Sequence, residues 1–442
     1  MTRPLLLVLL LVTTNAGAQP APMACGDVSF LDEMETAGAI YREGGQPGDA
    51  LAILRRAGLD TVRLRLWHTP EPDRDDLPDV LTAATRADAL GLRIVLAIHY
   101  SDTWADPAQQ TPPAAWQGLD ASALRDSVGA YTGRVVGAMV QQGTPPEIVQ
   151  VGNETTGGML WPHGRVGGAF DTPEQWARLG ELFASATDAV REVAPEAAVM
   201  LHLDRGGDAA GATWFVDRLF AEGVRPDVIG LSFYPWWHGD LGDLEATLGA
   251  LASRYGLPLF LTETGYPWTL AWYDDTNNLV GLPGQVLPGY PATPEGQAAF
   301  VARVAQIARE VPGGLGACYW APDWVAAPGE GSAWENVALF DASGEVLPAA
   351  SALAGSAVSA ESLPASVPSR AYPNPASRVV WIETEAVCTE VRLTDAIGRE
   401  VATARCRGGT ARMPVDRLAP GVYRYTADGA AGRTSGTVSV VR

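Results

Sequence analysis

Two glutamates stand at the ends of two similar apolar runs in this sequence. The run Ile148–Val151 is followed three residues later by Glu154, and the run Leu259–Thr262 is followed directly by Glu263. Two carboxyl groups that flank a glycosidic bond can cleave it, one as the proton donor and the other as the nucleophile or as the base that activates water. The sequence therefore predicts a paired-carboxylate site of the glycosidase type.

Polar residues near these glutamates are expected to set their charge states. Asn153 is expected to bind the sugar hydroxyl next to the anomeric carbon. Arg65 is expected to keep Glu263 ionised, because a nearby cation lowers the pKa of a carboxyl group, and Tyr234 is expected to hydrogen-bond the same carboxylate. Arg63 and Arg65 share one face of their strand by alternation, and their alternative is internal ion pairing within the barrel mouth. The alternative for one strand-end glutamate is a place beside a helix N-cap or in a rim salt bridge. Two in matching positions favour the catalytic pair.

Other candidates for substrate binding follow further apolar runs. They are His99, Asp102, Trp104, Trp236, Trp320 and Trp324. Tryptophan rings at the mouth of a site can serve as platforms for the apolar faces of sugar rings. The alternatives are core packing for the tryptophans, a satisfied core histidine for His99, and loop capping for Asp102.

Strand-like and helix-like segments alternate from about residue 27 to 347. The strand-like runs are Asp27–Phe30, Thr61–Leu66, Arg93–Ile98, Ile148–Val151, Ala198–Leu201, Val228–Leu231, Pro258–Thr262 and Leu315–Tyr319. Eight such α/β units indicate a (β/α)8 TIM barrel, whose active sites lie at the C-terminal ends of the strands. A doubly wound sheet is the alternative, but no glycine-rich phosphate loop follows the first strand. We place this domain at residues 24–347.

The bulk properties exclude several classes of function. The 442 residues carry a formal net charge of -20 and contain no lysine, which argues against nucleic acid and anionic membranes as partners and excludes Schiff-base and P-loop mechanisms. The five histidines are scattered and no CxxC or HExxH motif occurs. We therefore assign no metal and no cofactor.

Residues 1–18 have the pattern of a signal peptide. Arg3 precedes the apolar run Leu5–Val12, which is too short to span a bilayer, and Ala16-Gly17-Ala18 fits the cleavage site. Lipoprotein processing at Cys25 and a buried N-terminal helix are the alternatives. No other stretch predicts a membrane span, so the mature chain is expected to have none and to be extracellular.

The C-terminal part has a different pattern. Residues 348–370 are rich in Ala, Ser and Pro and are predicted to be a linker. Residues 371–442 contain short alternating strands separated by glycines, which predicts a small all-β, sandwich-like domain. A hairpin folded at Ile397 would place Cys388 opposite Cys406, so we expect a disulfide there. Separate free thiols are the alternative.

The barrel segment resembles glycoside hydrolase family 53, the arabinogalactan endo-β-1,4-galactanases. The motifs that carry the resemblance are Gly26–Leu31, Val62–Trp67, His99–Pro107, Val151–Glu154 with Leu160–Pro162, Ser232–Pro235 with Trp237–Gly239, and Thr262–Pro267. The resemblance implies a retaining enzyme acting on β-1,4-galactan, with Glu154 as acid/base and Glu263 as nucleophile.

Two features depart from that family. Its eighth strand commonly continues Tyr-Trp-Glu-Pro, where this chain has Tyr319-Trp320-Ala321-Pro322. Some bacterial members hold calcium in the loop after strand seven. Asp274, Asp275 and Asn277 lie in the corresponding loop, but their spacing matches no ligand pattern, and we leave the metal unassigned.

The tail resembles the type A sorting domains of the type IX secretion system. The motifs are Ala371–Pro375, Asp395–Arg399 and Leu418–Tyr423. The resemblance implies recognition by export and sorting machinery and release or attachment at the cell surface. A spacer or a carbohydrate-binding module is the alternative for the tail. For the whole chain, the alternatives are another β-1,4-glycanase, acting on mannan or glucan, and a non-catalytic glycan-binding protein.

Overall fold

A computed structural model describes residues 22–71, 74–355, 369–372, 376–384, 388–394, 400–429 and 432–441. The predicted signal peptide lies outside these residues, as does most of the predicted linker. No helix in the described ranges is long and apolar enough to cross a membrane.

Eight parallel strands form a closed barrel, as the alternating pattern predicted. They are β1 (Met23–Asp27), β2 (Thr61–Leu66), β3 (Arg93–Ile98), β4 (Ile148–Val151), β5 (Ala198–Leu203), β6 (Val228–Phe233), β7 (Leu259–Thr264) and β8 (Gly314–Trp320). Each strand pairs with its neighbours in the chain, and β1 pairs with β8 to close the ring. All eight C-terminal ends therefore meet at one face.

Helices cover the outside of the barrel. They are α1 (Leu31–Thr36), α2 (Ala50–Ala57), α3 (Leu77–Ala89), α4 (Ala121–Gln142), α5 (Pro173–Val193), α6 (Ala209–Ala221), α7 (Pro235–His238), α8 (Leu241–Tyr255), α9 (Pro294–Glu310) and α10 (Pro348–Leu353). Asp49, Asp76, Asp120 and Thr172 cap the N-termini of α2 to α5 by accepting backbone N–H bonds. Such caps fix where each helix begins and hence the length of the loop that reaches the strand.

Short strand pairs and 3-10 turns lie in the loops. Two-stranded pairs form from Tyr41–Glu43 with Gln46–Gly48 and from Gly158–Met159 with Gly164–Arg165, and 3-10 turns cover Ala114–Trp116, Thr155–Gly157, Gly168–Phe170 and Pro283–Gln285.

The first strand begins earlier than the sequence pattern indicated. We predicted Asp27–Phe30, whereas β1 covers Met23–Asp27 and the chain turns into α1 directly after it. Cys25 of β1 is in register with Cys318 of β8, and the two form a disulfide. This bond joins the first and last strands of the barrel across 293 residues.

The predicted linker also begins too early in our assignment. Residues Pro348–Leu353 form α10, whose Ala349, Ala350, Ala352 and Leu353 are buried against the barrel core. In the sequence, the alanines of this segment resemble a low-complexity linker, because small side chains give little hydrophobic periodicity. In the structure, the same small side chains allow the helix to pack closely on its neighbours.

The C-terminal residues form two antiparallel sheets around a separate core. One sheet contains β9 (Ser369–Tyr372), β10 (Val379–Thr384) and β13 (Thr410–Pro414), and the other contains β11 (Cys388–Thr394), β12 (Glu400–Arg405), β14 (Gly421–Gly429) and β15 (Gly432–Val440). Cys388 and Cys406 form a disulfide across the β11–β12 hairpin.

Candidate active site

A cleft of about 330 Å³ opens at the C-terminal face of the barrel. Its lining includes the predicted residues Arg65, His99, Trp104, Asn153, Glu154, Tyr234, Glu263, Trp320 and Trp324. Asp27, Arg63, Trp237, Leu279 and Trp334 complete most of the wall. The strand ends thus bring both glutamates and most of the predicted binding residues into one cavity.

Glu263 at the end of β7 is held by two donors. Nη1 of Arg63 lies 2.9 Å from its Oε1, and the Tyr234 hydroxyl donates to Oε2 at 3.0 Å. Burial raises the pKa of Glu263, and Arg63 and Tyr234 oppose that rise by stabilising the carboxylate. The pKa of Glu263 stays above its usual value on balance, and the two donors stabilise its ionised form and fix its orientation.

The arginine beside Glu263 is Arg63, and our assignment of that role to Arg65 was wrong. Nη2 of Arg65 pairs with Oδ2 of Asp75 at 2.6 Å. The two arginines lie on the same face of β2, but they are two residues apart, about 7 Å along the strand. Arg63 is therefore the deeper of the two and reaches Glu263 and Asp27.

Arg65 instead lies within the aromatic wall. Its guanidinium carbon is 4.2 Å from the ring centre of Trp104, 4.6 Å from that of Phe30 and 4.7 Å from that of Trp67. A guanidinium against aromatic faces gains cation–π attraction. Arg65 therefore stiffens the wall and holds these rings in place at the edge of the cleft.

Glu154 follows β4 in an uncommon backbone conformation. Its φ is 46° and its ψ is 52°, the left-handed region that non-glycine residues seldom adopt. Burial raises the pKa of Glu154 well above its usual range, and the nearby charge of Glu263 adds to the rise. The environment of Glu154 thus favours the protonated carboxyl group. Glu263, in contrast, forms a direct ion pair with Arg63, which stabilises the carboxylate.

The Asn153 side chain lines the cleft and is fixed by hydrogen bonds to residues at the base of the site. Its Oδ1 accepts from Nη2 of Arg63 at 2.8 Å and from Nε2 of Gln150 at 3.0 Å, and its Nδ2 donates to the Ala105 carbonyl at 2.9 Å. The remaining N–H of the amide is the group available to a sugar hydroxyl.

His202 is a site residue that our sequence analysis did not identify. We ended the fifth strand at Leu201, whereas β5 runs to Leu203 and carries His202 into the base of the site. Its Nδ1 lies 3.0 Å from Oδ1 of Asn153, and its Nε2 lies 2.9 Å from Oγ of Ser232. The feature of the sequence that could have identified His202 is its position directly after the predicted end of the fifth strand.

His99 follows β3 and forms part of the cleft wall. It is buried, and its Nδ1 accepts a hydrogen bond from the backbone N–H of Ala105 at 3.3 Å. Burial lowers the pKa of His99 well below its usual range, with Arg65 and Arg63 adding to the effect. The ring is therefore neutral, and Nε2 carries the proton that can be offered to a substrate oxygen.

Three of the predicted tryptophans form one side of the cleft. Trp104, Trp320 and Trp324 surround Phe30, and Trp324 stacks on Phe30 with ring centres 4.0 Å apart. Their half-buried faces give a continuous apolar surface of the kind that can carry a sugar ring.

Of the adjacent tryptophans in α7, the structure exposes Trp237 rather than the predicted Trp236. Trp236 is half-buried against Tyr234 and Trp334, at ring-centre distances of 5.4 and 5.9 Å, and does not line the cleft. Trp237 is 59% exposed and lines it. Successive residues in a helix point about 100° apart, so only one of the two can face the cleft.

Asp102 lies outside the cleft lining and holds two loops together. Its Oδ1 accepts from the N–H of Thr69 at 2.9 Å, and its Oδ2 accepts from the N–H of Ala114 at 2.7 Å. The capping alternative describes this residue better than substrate binding does.

Ala321, the position at which the sequence departs from the family pattern described above, is also absent from the cleft lining. It is buried and adopts a φ of 48°. Its difference from the family pattern therefore falls behind the cleft wall, beside β8.

The loop after β7 is tied to the loop after β8 without a metal cage. Asp274 accepts from the backbone N–H of Thr276 and of Ser332, and Glu335 accepts from the N–H of Tyr273. Among the described residues, no group of three or more His, Cys, Asp or Glu side chains is placed to hold a metal ion.

Comparison with known proteins adds two family matches. The family model described as "Glycosyl hydrolase family 53" matches residues 23–353, and that described as "Secretion system C-terminal sorting domain" matches residues 370–440. The chain is 45% identical over 336 residues to an uncharacterized protein from the bgaB 5' region of Niallia circulans, covering 74% of this chain and 92% of that one.

Two named relatives are similar over the same region. An arabinogalactan endo-beta-1,4-galactanase of Cellvibrio japonicus is 36% identical over 350 residues, covering 76% of this chain and 91% of the relative. The solved GH53 catalytic domain of Ignisphaera aggregans superposes with a TM-score of 0.70 at 33% identity, covering 76% of this chain and 96% of that structure.

Proposed function

The chain belongs to glycosyl hydrolase family 53, and on that premise we propose that it is a secreted, retaining endo-β-1,4-galactanase. The barrel together with α10, residues 23–353, is the catalytic domain, and residues 370–440 belong to the sorting domain that directs the protein through type IX secretion to the cell exterior. The signal peptide at residues 1–18 would take the chain across the inner membrane first.

The observation that carries the proposal is the unequal environment of the two glutamates. Glu263 is ion-paired to Arg63 and hydrogen-bonded by Tyr234, which suits a nucleophile that must be ionised. Glu154 is buried beside that negative charge, which raises its pKa and suits a proton donor. Two carboxyl groups whose environments push their pKa values apart divide the acid and nucleophile roles between them.

The reaction then follows double displacement. Glu154 protonates the leaving glycosidic oxygen while Glu263 attacks the anomeric carbon and forms a galactosyl ester. Glu154, now a carboxylate, takes a proton from water, which attacks the anomeric carbon and releases Glu263. Asn153 and His99 offer N–H groups to sugar hydroxyls.

The substrate assignment rests on the family and fits the charge of the molecule. A chain with a net charge of -20 repels acidic polysaccharides, whereas galactan is neutral. Trp104, Trp237, Trp320 and Trp324 provide apolar surface for several sugar units along the cleft.

Reducing-sugar release from debranched β-1,4-galactan, beside mannan, xylan and carboxymethylcellulose, tests the proposal. Glu263→Ala protein prepared in parallel controls for contaminating activity. Selective release from galactan is expected, and NMR of the first-formed product should show the β anomer. Release from another glycan would correct the substrate, an α anomer would overturn the nucleophile, and binding without release would favour a glycan-binding protein.

A further inference from the structure

One nitrogen of Arg63 contacts two acidic side chains. Nη1 donates a hydrogen bond to Oδ2 of Asp27 at 2.5 Å, and it lies 2.9 Å from Oε1 of Glu263 in an ion pair. The same cation thus faces the proposed nucleophile on one side and a second carboxylate on the other. Asp27 and Arg63 are each 1% exposed and Glu263 is 6% exposed, so solvent screens these charges little.

The remaining nitrogens of the Arg63 guanidinium have partners of their own. Nε donates to Oε1 of Gln150 at 3.0 Å, and Nη2 donates to Oδ1 of Asn153 at 2.8 Å. A carboxylate that had a guanidinium to itself could take two parallel N–H bonds from it, which is the stronger arrangement. Here three nitrogens are divided among four residues, and Glu263 shares its nitrogen with Asp27.

Asp27 is fixed at the end of β1 by the loop that follows it. Its Oδ1 accepts from the backbone N–H of Ser29 at 3.2 Å and from the Ser29 hydroxyl at 2.5 Å. Oγ of Ser29 in turn accepts from the backbone N–H of Arg65 in β2 at 2.9 Å. The other oxygen of Asp27 faces Arg63. The position of this carboxylate is therefore set by backbone contacts and does not depend on Glu263.

The charge of Asp27 opposes the effect of Arg63 on Glu263. Burial raises the pKa of Glu263, the charge of Arg63 lowers it, and the charge of Asp27 raises it again. The balance accounts for a carboxyl group that is ion-paired and still has a pKa above its usual value. A carboxylate that is bound less strongly by its cation keeps more of its basicity, and the nucleophile of a double displacement must attack the anomeric carbon.

We propose that Asp27 is a positioning residue of the reaction, which holds Nη1 of Arg63 between itself and Glu263 and so limits how strongly the arginine binds the nucleophile. The inference rests on the proposed function, since it concerns the nucleophile of that reaction. The alternative is a purely structural Asp27 that keeps Arg63 in place beside Glu263. The two roles predict opposite effects when the charge of Asp27 is removed.

Other groups of the cleft stay the same when Asp27 is replaced. The remaining titratable or charged residues of its lining are Arg65, His99, Asp106, Glu154 and Tyr234. Burial raises the pKa of Glu154 and of Tyr234 well above their usual ranges, and it lowers the pKa of His99 well below its own. These three groups are therefore uncharged while Glu263 titrates. A change in that titration then reports the loss of Asp27.

The direction of a pH shift distinguishes the two roles. The acidic limb of the kcat/KM profile on β-1,4-galactan reports ionisation of the nucleophile. Asp27→Asn keeps the size of the side chain and removes its charge, so the pKa of Glu263 should fall and the acidic limb should move to lower pH by about half a unit or more. In the structural role, Arg63 would leave Glu263 and the limb would move to higher pH. A shift to higher pH, or no shift, would overturn the proposal.

Asp75→Asn is the matched control. Asp75 is a buried aspartate whose Oδ2 pairs with Nη2 of Arg65 at 2.6 Å. Its replacement removes the same charge from the other arginine of β2. Because Arg65 pairs with Asp75 and not with Glu263, the acidic limb should stay in place. Equal shifts in Asp27→Asn and Asp75→Asn would show a general effect of lost charge and would overturn the role of Asp27.

Two further measurements separate this inference from the galactanase assignment. Titration of ¹³C-labelled glutamate, with Glu263→Gln to identify the signal, should show a lower pKa of Glu263 in Asp27→Asn than in the wild type, without any substrate. An unchanged or higher pKa would contradict the inference. A wild-type protein inactive on every glycan would overturn the function, and this titration would still decide the role of Asp27.

A neutron structure of the wild-type protein covers the case in which no variant folds. It should show a hydrogen on Nη1 of Arg63 directed at Asp27 and no hydrogen on the Asp27 carboxylate. A protonated Asp27, or two Nη1 hydrogens both directed at Glu263, would overturn the inference.

Discussion

Nη1 of Arg63 lies 2.9 Å from Oε1 of Glu263, while the same guanidinium also pairs with Asp27 and donates to Gln150 and Asn153. Arg63 is buried, so this ion pair is little screened by solvent. One cation therefore connects the first, second, fourth and seventh strands beneath the two glutamates. Its contacts fix Glu263 and Asn153, the residue before Glu154, in one rigid unit.

Replacing Arg63 should raise the pH at which the enzyme becomes active. Arg63→Met removes the cation that lowers the pKa of Glu263. That pKa should rise by about 1 unit or more, and since Glu263 must be ionised to attack, the acidic limb of kcat/KM should move to higher pH. Arg65→Met is the comparison, because Arg65 pairs with Asp75 and should leave that limb in place. Equal shifts in both variants would contradict the assignment.

Removing the nucleophile should stop turnover but not binding. Glu263→Ala should lower kcat on galactan by more than about 10³-fold, as expected for loss of a group that forms the covalent intermediate. Affinity for the polysaccharide, measured by affinity electrophoresis, should stay close to that of the wild type. Residual turnover above a few per cent of wild type, in protein shown to be folded by circular dichroism, would refute the role.

Removing the acid should have an effect that depends on the leaving group. Glu154→Ala should slow hydrolysis of galactan by about 10²–10⁴-fold, the usual contribution of general acid catalysis. An aryl galactobioside with an acidic phenol needs no protonation, so formation of the galactosyl enzyme should remain fast. Azide, which needs no base, should restore turnover and give the β-galactosyl azide. Equal losses on both substrates would argue against Glu154 as the acid.

Replacing each of the two adjacent tryptophans of α7 should have a different effect, one on substrate binding and the other on thermal stability. Trp237→Ala should raise KM by about fivefold, corresponding to roughly 1 kcal/mol of lost ring contact, without lowering Tm. Trp236→Ala should lower Tm, because Trp236 packs against Tyr234 and Trp334. The reverse pattern would show that Trp236 is the substrate platform we first predicted.

Loss of the barrel disulfide should destabilise the catalytic domain. In the chain-entropy description, a bond that closes 293 residues restricts the unfolded chain by on the order of 5 kcal/mol. A Cys25→Ser, Cys318→Ser variant should therefore show a lower barrel transition in calorimetry. Cys388→Ser with Cys406→Ser is the matched control, because it closes only 18 residues in the other core and should spare that transition.

The barrel and its two glutamates followed from the sequence because they depend on period and position alone. The strands β2, β3 and β4 have the predicted bounds, and their ends bring Arg65, His99 and Glu154 into one cleft. Alternation along a strand gives the face of a side chain, and that was enough to place both arginines of β2 on the same face.

The hydrogen-bond and ion-pair partners of those side chains could not be predicted from strand alternation. Arg63 and Arg65 share a face, and only their height in the barrel decides that one meets Glu263 and the other Asp75. Trp236 and Trp237 differ by a rotation within a four-residue helix. Asp102 is used by the backbone of distant loops. These outcomes depend on three-dimensional neighbours that no local pattern encodes.

The Cys25–Cys318 bond also sets an order of events during export. In a chain exported from its N-terminus, Cys25 crosses the membrane among the first residues of the barrel, and its partner follows 293 residues later. Until then its thiol is exposed to whatever oxidant the compartment holds, and the remaining cysteines, Cys388 and Cys406, emerge later still. The Cys25–Cys318 disulfide can form only after the eighth strand, which carries Cys318, has crossed the membrane. A protein halted before Cys318 has crossed thus has no second cysteine of its own with which Cys25 could lock an unfinished fold.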